Sequence, residues 1–397
     1  MLETLRMPPP DKILQVAQAF RADPRKSKID LGVGVYKDAE GRTPVMRAVK
    51  AAEKRIWEEQ DTKTYTALAG DPLFAAAMAR MILGAGLAEE TEGRRAAIAT
   101  PGGTGAVQKG MELAKMAGAA TGSAPRVFLP SPTWPNHTAI ARHLGLEVVE
   151  YRYFDPATGL VDGGGLLADL SGVRGSDLVV LHGCCHNPTG ANPGPALWGR
   201  IADAVEAAGA AVLVDLAYQG FGDGLEADAA ATRMLAGRLP EVMVAASCSK
   251  NFGIYRERTG LLLVLSDGGE AVQGTLAALN RLNYSFPPDH GARIVQTVLG
   301  DPELRADWEA ELEEVRGHLI GLREALARAL RERTNSDRFD ALARHRGMFS
   351  RLGLTEEQVE RLRDGHGVYM TADSRMNVAG LNAHTVPVLA DAIASVL

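Results

Sequence analysis

Short apolar segments alternate with longer amphipathic stretches from about residue 95 to about residue 270, and this alternation constrains the fold more than any other feature. Strands that alternate with helix-length segments are typical of a mostly parallel sheet covered by helices. Six apolar segments are predicted to be strands: 126–129, 147–151, 178–182, 211–215, 242–246 and 261–265. We therefore expect an α/β domain that binds its ligands at the carboxyl ends of these strands.

A long helix is predicted between residues 307 and 333, because apolar residues recur there at spacings of three and four. They are Trp308, Leu312, Val315, Leu319, Leu322, Leu326 and Leu330. After this helix, residues 348–352 and 368–371 resemble strands, and a closing helix follows Asn382. We expect a large domain over residues 44–312 and a smaller α/β domain over residues 1–43 and 313–397, built from both chain ends.

Composition excludes several classes of function. The chain has 397 residues, enough for two domains, and its formal net charge of -6 argues against nucleic acid as a partner. The first thirty residues carry several charges, so they do not read as a secretory signal, and no apolar segment approaches the length of a membrane span. Three cysteines, two of them adjacent, suggest a reducing compartment. We expect a cytoplasmic protein with neither a membrane nor a nucleic-acid partner.

Lys250 lies in the segment Ser247 to Gly253, directly after the predicted strand 242–246, and Arg258 follows a short distance downstream. A lysine among small hydroxyl residues at the carboxyl end of a strand can form a Schiff base. Most lysines are exposed, so a solvated position in a loop remains an alternative when Lys250 is considered alone.

The glycine-rich segment 101–106 precedes a helical pattern and could present backbone N–H groups to a phosphate. It does not match the dinucleotide fingerprint, because both the glycine spacing and the preceding strand are imperfect. A plain glycine turn before a helix explains the segment equally well.

Two histidines and two cysteines lie within residues 182–186 and resemble a metal site. Adjacent cysteines on an extended chain point to opposite sides, and no second Cys or His pair completes a ligand set. We therefore expect no metal here and interpret Cys184 and Cys185 as small core residues. Asn187 is of more interest, because an amide at a strand end can donate to a ring oxygen in a cleft.

Asp215 closes the predicted strand 211–215, and a carboxylate there is costly unless a positive group faces it. A pyridinium nitrogen would be such a partner, and Tyr218 could then reach the same ring; a helix cap or turn is the alternative. Arg281 and Arg375 carry guanidinium groups that could bind carboxylates in bidentate fashion, although surface salt bridges explain them equally well.

Seven segments in order carry a resemblance to a known family: 31–36, 101–106, 131–137, 182–190, 215–221, 247–253 and 374–380. On these segments the sequence resembles the class I aminotransferases of the aspartate and aromatic amino acid group, from about Asp11 to the C-terminus. These are enzymes of fold type I that use pyridoxal 5'-phosphate. The resemblance implies a large cofactor-binding domain with a mostly parallel sheet and a smaller α/β domain.

The resemblance also implies how the cofactor is held. Lys250 forms a Schiff base with pyridoxal phosphate and carries the proton between the substrate Cα and the cofactor. Asp215 keeps the pyridine nitrogen protonated, Tyr218 and Asn187 hydrogen-bond the phenolic oxygen of the ring, and Trp134 stacks on its face. The residues implied for the phosphate are Gly103, Thr104, Ser247, Ser249 and Arg258, with Tyr65 from a neighbouring subunit. Such sharing implies a homodimer.

For the substrate, the resemblance implies that Arg375 binds the α-carboxylate and that Gly34 lies over the site on a segment that moves when the small domain closes. Trp134 and Asn187 are expected to contact the substrate as well. Arg281 of the other subunit matches the family position that pairs with the distal carboxylate of aspartate and glutamate.

Local sequence favours the aromatic branch of this family. Cys248 and Phe286 stand where the aspartate enzymes have tyrosine and asparagine. The expected reaction is amino transfer between tyrosine, phenylalanine or tryptophan and 2-oxoglutarate, with aspartate also accepted. The alternatives are aspartate transamination as the main activity, a nucleotide-dependent oxidoreductase that uses the turn at Gly102 to Gly105, and a non-catalytic module that binds pyridoxal phosphate.

Overall fold

The computed structural model describes residues 1–7, 11–38 and 40–397. The strands in this part of the chain are β1 (Ile29–Asp30), β2 (Arg95–Pro101), β3 (Arg126–Ser131), β4 (Glu147–Arg152), β5 (Phe154–Asp155), β6 (Leu160–Val161), β7 (Leu178–His182), β8 (Ala211–Leu216), β9 (Val242–Ser247), β10 (Thr259–Leu265), β11 (Phe349–Arg351), β12 (Val368–Tyr369) and β13 (Arg375–Asn377). The helices are α1 (Lys12–Ala22), α2 (Arg47–Glu59), α3 (Pro72–Leu83), α4 (Ala85–Glu90), α5 (Gly102–Thr121), α6 (Pro135–His143), α7 (Gly163–Leu170), α8 (Pro195–Ala208), α9 (Leu225–Arg238), α10 (Gly269–Asn283), α11 (His290–Gly300), α12 (Pro302–Thr334), α13 (Glu356–His366) and α14 (Thr385–Val396).

The central sheet has the strand order β2-β10-β9-β8-β7-β3-β4. Its strands run parallel except β10, which is antiparallel to both β2 and β9. All six predicted strands are present, which confirms the α/β fold class. In the register, His182 faces Asp215 and Asp215 faces Ala245, so the carboxyl ends of β7, β8 and β9 meet at one edge of the sheet.

The strand β2 is a correction to the sequence analysis. It runs directly into the glycine turn at Gly102, although the sequence before this turn predicts only an imperfect strand. Three of its residues, Ala96, Ala97 and Ala99, are alanines, which are depleted in strands, so local propensity does not reveal it. Pairing with β10 along all seven of its residues fixes it in the sheet.

The helix α12 confirms the predicted long helix and extends it at its N-terminal end. The carboxylate of Asp301 accepts hydrogen bonds from the N–H groups of Glu303 and Leu304, which caps the helix. All seven apolar positions predicted to share one face are buried. The helix serves two hydrophobic cores: Leu319 packs in the larger core, and Leu322 packs in the smaller one.

Both chain ends contribute to the smaller core. The strand β1 pairs in parallel with β12, so that Ile29 faces Val368, and β11 pairs antiparallel with β13. The buried side chains of α14 complete this core. The arrangement supports a small domain built from both termini, whose limits at residues 43 and 313 remain a prediction.

None of the helices in the ranges described is both long enough and apolar enough to cross a membrane.

Candidate active site

A cavity lies at the carboxyl ends of β7, β8 and β9 and brings together ten residues singled out in the sequence. They are Gly103, Thr104, Trp134, Asn187, Asp215, Tyr218, Ser247, Ser249, Lys250 and Arg258. His182 and Ala217 complete the lining. Residues separated by up to about 150 positions in the chain therefore face one space, as the topology of an open α/β sheet requires.

Lys250 lies three residues beyond β9, and its side chain enters the cavity instead of the solvent. Its Nζ atom is 4.8 Å from the centroid of the Tyr218 ring. Burial lowers the pKa of the Lys250 ammonium, Asp215 opposes this shift, and the charge of Arg258 adds to it. A lowered pKa increases the fraction of neutral amine, which is the form that attacks a carbonyl carbon.

Asp215 lies inside β8, next to its last residue, so it is neither a helix cap nor a turn residue. Its Oδ2 atom accepts a hydrogen bond from His137 Nε2 at 2.9 Å. Burial raises the pKa of Asp215, but the hydrogen bond and the charge interaction with His137 outweigh it, so the pKa lies below its usual range. The cavity therefore contains an ionised carboxylate that can face a cationic ring nitrogen.

His137 is a contact of the site that the sequence analysis did not assign. It lies on α6, three residues after Trp134, and its side chain is buried. The hydroxyl of Thr133 lies 2.8 Å from His137 Nδ1 and 3.2 Å from His182 Nε2. Nε2 of His137 is bonded to the carboxylate and Nδ1 to the Thr133 hydroxyl, so both ring nitrogens have partners. This chain of bonds fixes the orientation of Asp215.

The other end of the cavity fits an anion. Gly103 and Thr104 lie in the first turn of α5, where backbone N–H groups are free to bind a phosphate. Gly102 has a φ of 71°, and a Cβ atom there would lie 2.5 Å from Arg258 Nη2, so only glycine lets the guanidinium reach the helix start. Within the described ranges, Arg258 donates a hydrogen bond to the Tyr255 carbonyl at 3.2 Å and forms no salt bridge.

Tyr218 and Asn187 present polar groups to the middle of the cavity. Burial raises the pKa of Tyr218, so its hydroxyl stays protonated and can donate a hydrogen bond. Asn187 is buried, and its Oδ1 atom has no partner among the described residues. Buried polar groups are normally paired. Oδ1 can only accept a hydrogen bond, so the donors here are the side-chain NH2 group of Asn187 and the Tyr218 hydroxyl. A bound group with an acceptor oxygen fits between these two donors.

Arg375 and Gly34 lie beside this cavity and not in its lining. The Nη2 atom of Arg375 donates to the Gly32 carbonyl at 2.9 Å, and its Nε atom has no partner in the described part of the chain. Burial lowers the pKa of this guanidinium, which is 4.6 Å from the centre of the Phe349 ring. A Cβ atom on Gly34 would lie 2.9 Å from the same ring.

Arg375 also lines a second cavity with Thr133 and Pro188, the sequence neighbours of Trp134 and Asn187. The segments that carry the predicted substrate contacts Trp134 and Asn187 therefore border the same cavity as Arg375. Phe349, which the sequence analysis did not single out, lies between Arg375 and Tyr218, with its ring centre 6.3 Å from that of Tyr218.

Tyr65 and Arg281 lie outside the cavity lining. Both side chains are exposed, and they flank Phe286: the Tyr65 ring stacks on the Phe286 ring at 4.6 Å, and the Arg281 guanidinium is 5.9 Å from its centre. These are the two residues predicted to act in the site of a neighbouring subunit. One chain thus presents them together on its surface, away from its own Lys250.

The adjacent cysteines correct another expectation. Ligand atoms of Cys184, Cys185 and Asp228 lie within 4.8 Å of one another, so the two thiols do not point to opposite sides. The chain is not extended there, because Cys185 has a φ of 52°. The carboxylate of Asp228 already accepts three hydrogen bonds from backbone N–H groups, and burial raises the pKa of the Cys185 thiol. Both cysteines are buried, as predicted for core residues.

This fold and this site define a class of enzyme. Residues 26–393 match the family model described as aminotransferase class I and II, and the chain belongs to this family. It is 58% identical, over the full length of both chains, to an aromatic-amino-acid aminotransferase of Paracoccus denitrificans. It is 41% identical, again over the full length of both, to an aspartate aminotransferase of Escherichia coli.

A solved structure gives the same result. The aromatic-amino-acid aminotransferase of Burkholderia pseudomallei, covalently bound to pyridoxal phosphate, superposes with a TM-score of 0.96 at 39% identity, covering 100% of this chain and 99% of that one. Pyridoxal phosphate is the cofactor of this family. The cavity fits it: the start of α5 and Arg258 suit the phosphate, and ionised Asp215 suits a protonated pyridine nitrogen. The family match gives no support to a nucleotide-dependent oxidoreductase.

Proposed function

We propose that this aminotransferase moves the amino group between an aromatic L-amino acid and 2-oxoglutarate, and that it also accepts aspartate. The observation that carries the chemistry is that Lys250, with a lowered pKa, shares one cavity with ionised Asp215. The aromatic preference is supported by the 58% identity to the Paracoccus enzyme, against 41% to the Escherichia aspartate enzyme.

Pyridoxal phosphate, when bound, supplies a ring that withdraws electrons from the bonds at the substrate Cα. In this proposal Nζ of Lys250 would take the proton from the substrate Cα and deliver it to the cofactor carbon bonded to the transferred nitrogen. Asp215 holds a proton on the ring nitrogen, and His137 keeps the carboxylate ionised and oriented. Tyr218 and Asn187 donate hydrogen bonds to the phenolic oxygen of the ring.

Arg375 is proposed to bind the α-carboxylate of every substrate, because its buried guanidinium has an unpartnered Nε atom and no described acidic partner. Trp134 stacks on the ring, and Gly34 leaves room for Phe349 beside the substrate. The phosphate contacts Gly103, Thr104, Ser247, Ser249 and Arg258, which line the cavity at the start of α5.

We also propose that the enzyme is a homodimer with shared sites. Tyr65 and Arg281 are exposed in one chain, although each has a predicted role in the site. Large apolar side chains are exposed as well, including Trp57 at 82% and Leu282 at 81%. A second copy that covers these residues would bring Tyr65 to the phosphate and Arg281 to the distal carboxylate. A cytoplasmic location is part of the proposal and is supported by three unpaired cysteines.

The substrate preference is tested by kcat/KM for phenylalanine, tyrosine and aspartate with 2-oxoglutarate, since selectivity is a ratio of these constants. The proposal expects phenylalanine or tyrosine to equal or exceed aspartate. An aspartate value several orders of magnitude above both would assign the enzyme to the aspartate branch instead.

The chemistry is tested with Lys250→Ala, compared with Lys54→Ala, which changes an exposed lysine on α2. Lys250→Ala should bind pyridoxal phosphate but show no conversion of bound cofactor when mixed with phenylalanine in a stopped-flow experiment. Lys54→Ala should react like the parent enzyme. Normal turnover in Lys250→Ala would contradict the role of the lysine, and a parent enzyme that binds cofactor without reacting with any amino acid would be a non-catalytic module.

The shared site is tested by subunit hybrids. Lys250→Ala has no reactive lysine, and Arg281→Leu lacks the arginine proposed to bind aspartate in the partner site. A hybrid dimer contains one site with an intact Lys250 and an intact Arg281, so co-refolding the two variants should raise aspartate transamination above that of either variant alone. If the hybrids stay as inactive as the separate variants, each site is formed by one chain.

A further inference from the structure

Arg323 is a buried arginine that the proposed chemistry does not use. It lies on α12 and is 1% exposed. Its Nη1 atom donates to the Ser350 hydroxyl at 2.6 Å, and Nη2 donates to the carbonyls of Gly347 at 2.7 Å and Phe349 at 2.8 Å. Arg323 forms no salt bridge with any carboxylate in the described ranges, and its Nε atom has no hydrogen-bond partner there. Burial lowers the pKa of Arg323 to about 9, which leaves the guanidinium charged at neutral pH.

A buried cation held only by neutral oxygens is uncommon, because charged groups in protein interiors are normally paired. An apolar side chain of similar length would pack at this position without any cost of removing a charge from water. The guanidinium adds a geometric constraint, because its planar set of N–H groups binds several oxygens of one segment in a fixed arrangement.

The segment that Arg323 binds crosses between the two hydrophobic cores. Phe349 packs in the larger core and Leu352 in the smaller one. Arg323 itself lies one residue beyond Leu322, close to the point where α12 passes from the larger core to the smaller one. The guanidinium therefore joins two of the chain segments that connect the cores.

Residues 346–350 are also held from the large-domain side. The Arg346 N–H donates to the Gly190 carbonyl at 2.8 Å, and Nε2 of the neighbouring His345 lies 2.6 Å from the Gly159 carbonyl. A Cβ atom on Gly190 would lie 2.3 Å from the Phe349 carbonyl oxygen, so the two segments are in close contact. Arg323 binds this same carbonyl from the other side.

Phe349 connects residues 346–350 to the proposed substrate site. Its ring lies under the guanidinium of Arg375 at 4.6 Å and against the position of Gly34. The strand β11 that begins with Phe349 pairs with β13, which begins with Arg375. A shift of the Phe349 backbone would therefore move the surface on which the Arg375 guanidinium rests.

We propose that Arg323 is a positioning residue for carboxylate binding: by holding the carbonyls of Gly347 and Phe349, it fixes the Phe349 ring beneath Arg375 and so sets how tightly the substrate carboxylate is bound. The inference rests on the proposed role of Arg375. It deepens that role, since it identifies a residue that acts on the carboxylate site without touching the substrate.

The experiment uses the holoenzyme and two carboxylates that lack an amino group, 3-phenylpropionate and succinate, which bind without reacting. Their Kd values are measured by titration for Arg323→Lys and for Arg331→Met, a control on the same helix whose exposed side chain pairs with Asp340. A lysine keeps the charge but cannot bind the three oxygens together. We expect Arg323→Lys to raise both Kd values roughly tenfold, and Arg331→Met to leave them within about twofold.

A purely structural role is distinguished by repeating Arg323→Lys in a Phe349→Leu background. If Arg323 acts through the Phe349 ring, Arg323→Lys should change Kd little in a protein that already carries Phe349→Leu. Full additivity of the two effects, or an unchanged Kd in Arg323→Lys, would overturn the proposal. Arg323→Gln provides a second test, because it removes the charge and retains a donor; a parent-like Kd there would also overturn the proposal.

Arg375→Lys separates failure of this inference from failure of the proposed function. If Arg375→Lys weakens both ligands and Arg323→Lys does not, the positioning role alone is wrong. If Arg375→Lys binds both ligands normally, the assignment of Arg375 is wrong, and the role of Arg323 falls with it.

Discussion

The turn that carries Lys250 depends on a residue more than fifty positions away. Trp308 is fully buried, donates its indole N–H to the Asn251 carbonyl at 2.7 Å and stacks on Phe252 with ring centres 4.4 Å apart. In Trp308→Phe the stacking partner remains, but the Asn251 carbonyl loses its donor, which costs about 1–3 kcal/mol. The smaller ring leaves a void worth about 1 kcal/mol. We expect a loss of about 2–4 kcal/mol in the free energy of unfolding.

Trp198→Phe provides a matched control. Trp198 is a buried residue of α8, and its indole N–H has no hydrogen-bond partner in the ranges described, so this change creates only the void. Unfolding by urea is followed by far-UV circular dichroism on the holoenzyme at one fixed protein concentration. Trp308→Phe should lower the midpoint more than Trp198→Phe, with an unchanged slope, and only Trp308→Phe should slow turnover. Equal losses of stability in the two variants would refute the importance of the hydrogen bond.

Three further predictions concern single side chains. His345 is buried and its pKa is lowered to about 4 by burial and by the charge of Arg323, so the folded state binds fewer protons than the unfolded state between about pH 6.5 and pH 4. Stability should therefore fall by about 3 kcal/mol as the pH drops through this window, and urea titrations at several pH values should show a smaller fall in His345→Gln. Arg281→Leu should reduce kcat/KM for aspartate roughly 10- to 100-fold more than kcat/KM for phenylalanine, and equal reductions would argue against a distal carboxylate contact. Tyr218→Phe should raise, by about 1 unit or more, the pKa read from the visible absorption of the cofactor; an unchanged pKa would mean that the hydroxyl does not contact the ring oxygen.

Five strands of the central sheet, β3 and β7 to β10, could be predicted because each contains a buried apolar segment. The edge strand β4 is more exposed, and its apolar residues alone indicated it. Among the residues that line the cavity, Asn187, Asp215 and Lys250 could be predicted because they lie at strand ends, where an α/β sheet binds its ligands. Most of the others were implied by the family resemblance. The strand β2 escaped prediction because its alanines carry little strand propensity, and its pairing with β10 is a contact over more than 150 residues.

The rest of the site depends on contacts that local sequence does not encode. His137 is the last residue of the segment 131–137 that carries the family resemblance, but nothing in its neighbours indicates that it bonds Asp215, 78 residues further on. Phe349 reads as an ordinary core residue, and Arg323 reads as one charge among many on a helix. The orientation of the adjacent cysteines was predicted wrongly for a different reason. Neighbouring side chains point to opposite sides only in an extended chain, and the backbone at Cys185 is not extended.

The parallel pair of β1 and β12 has a consequence for how the protein is made. Ile29 meets Val368, so the N-terminal strand emerges from the ribosome long before its partner exists. At a synthesis rate of about 5–20 residues per second, the delay is roughly 20–70 s. During that time the large sheet can form, while residues 29–31 stay exposed without their partner. Completion of the smaller core must therefore wait until β12 and α14 have been synthesised, which makes it a late step in the folding of the protein.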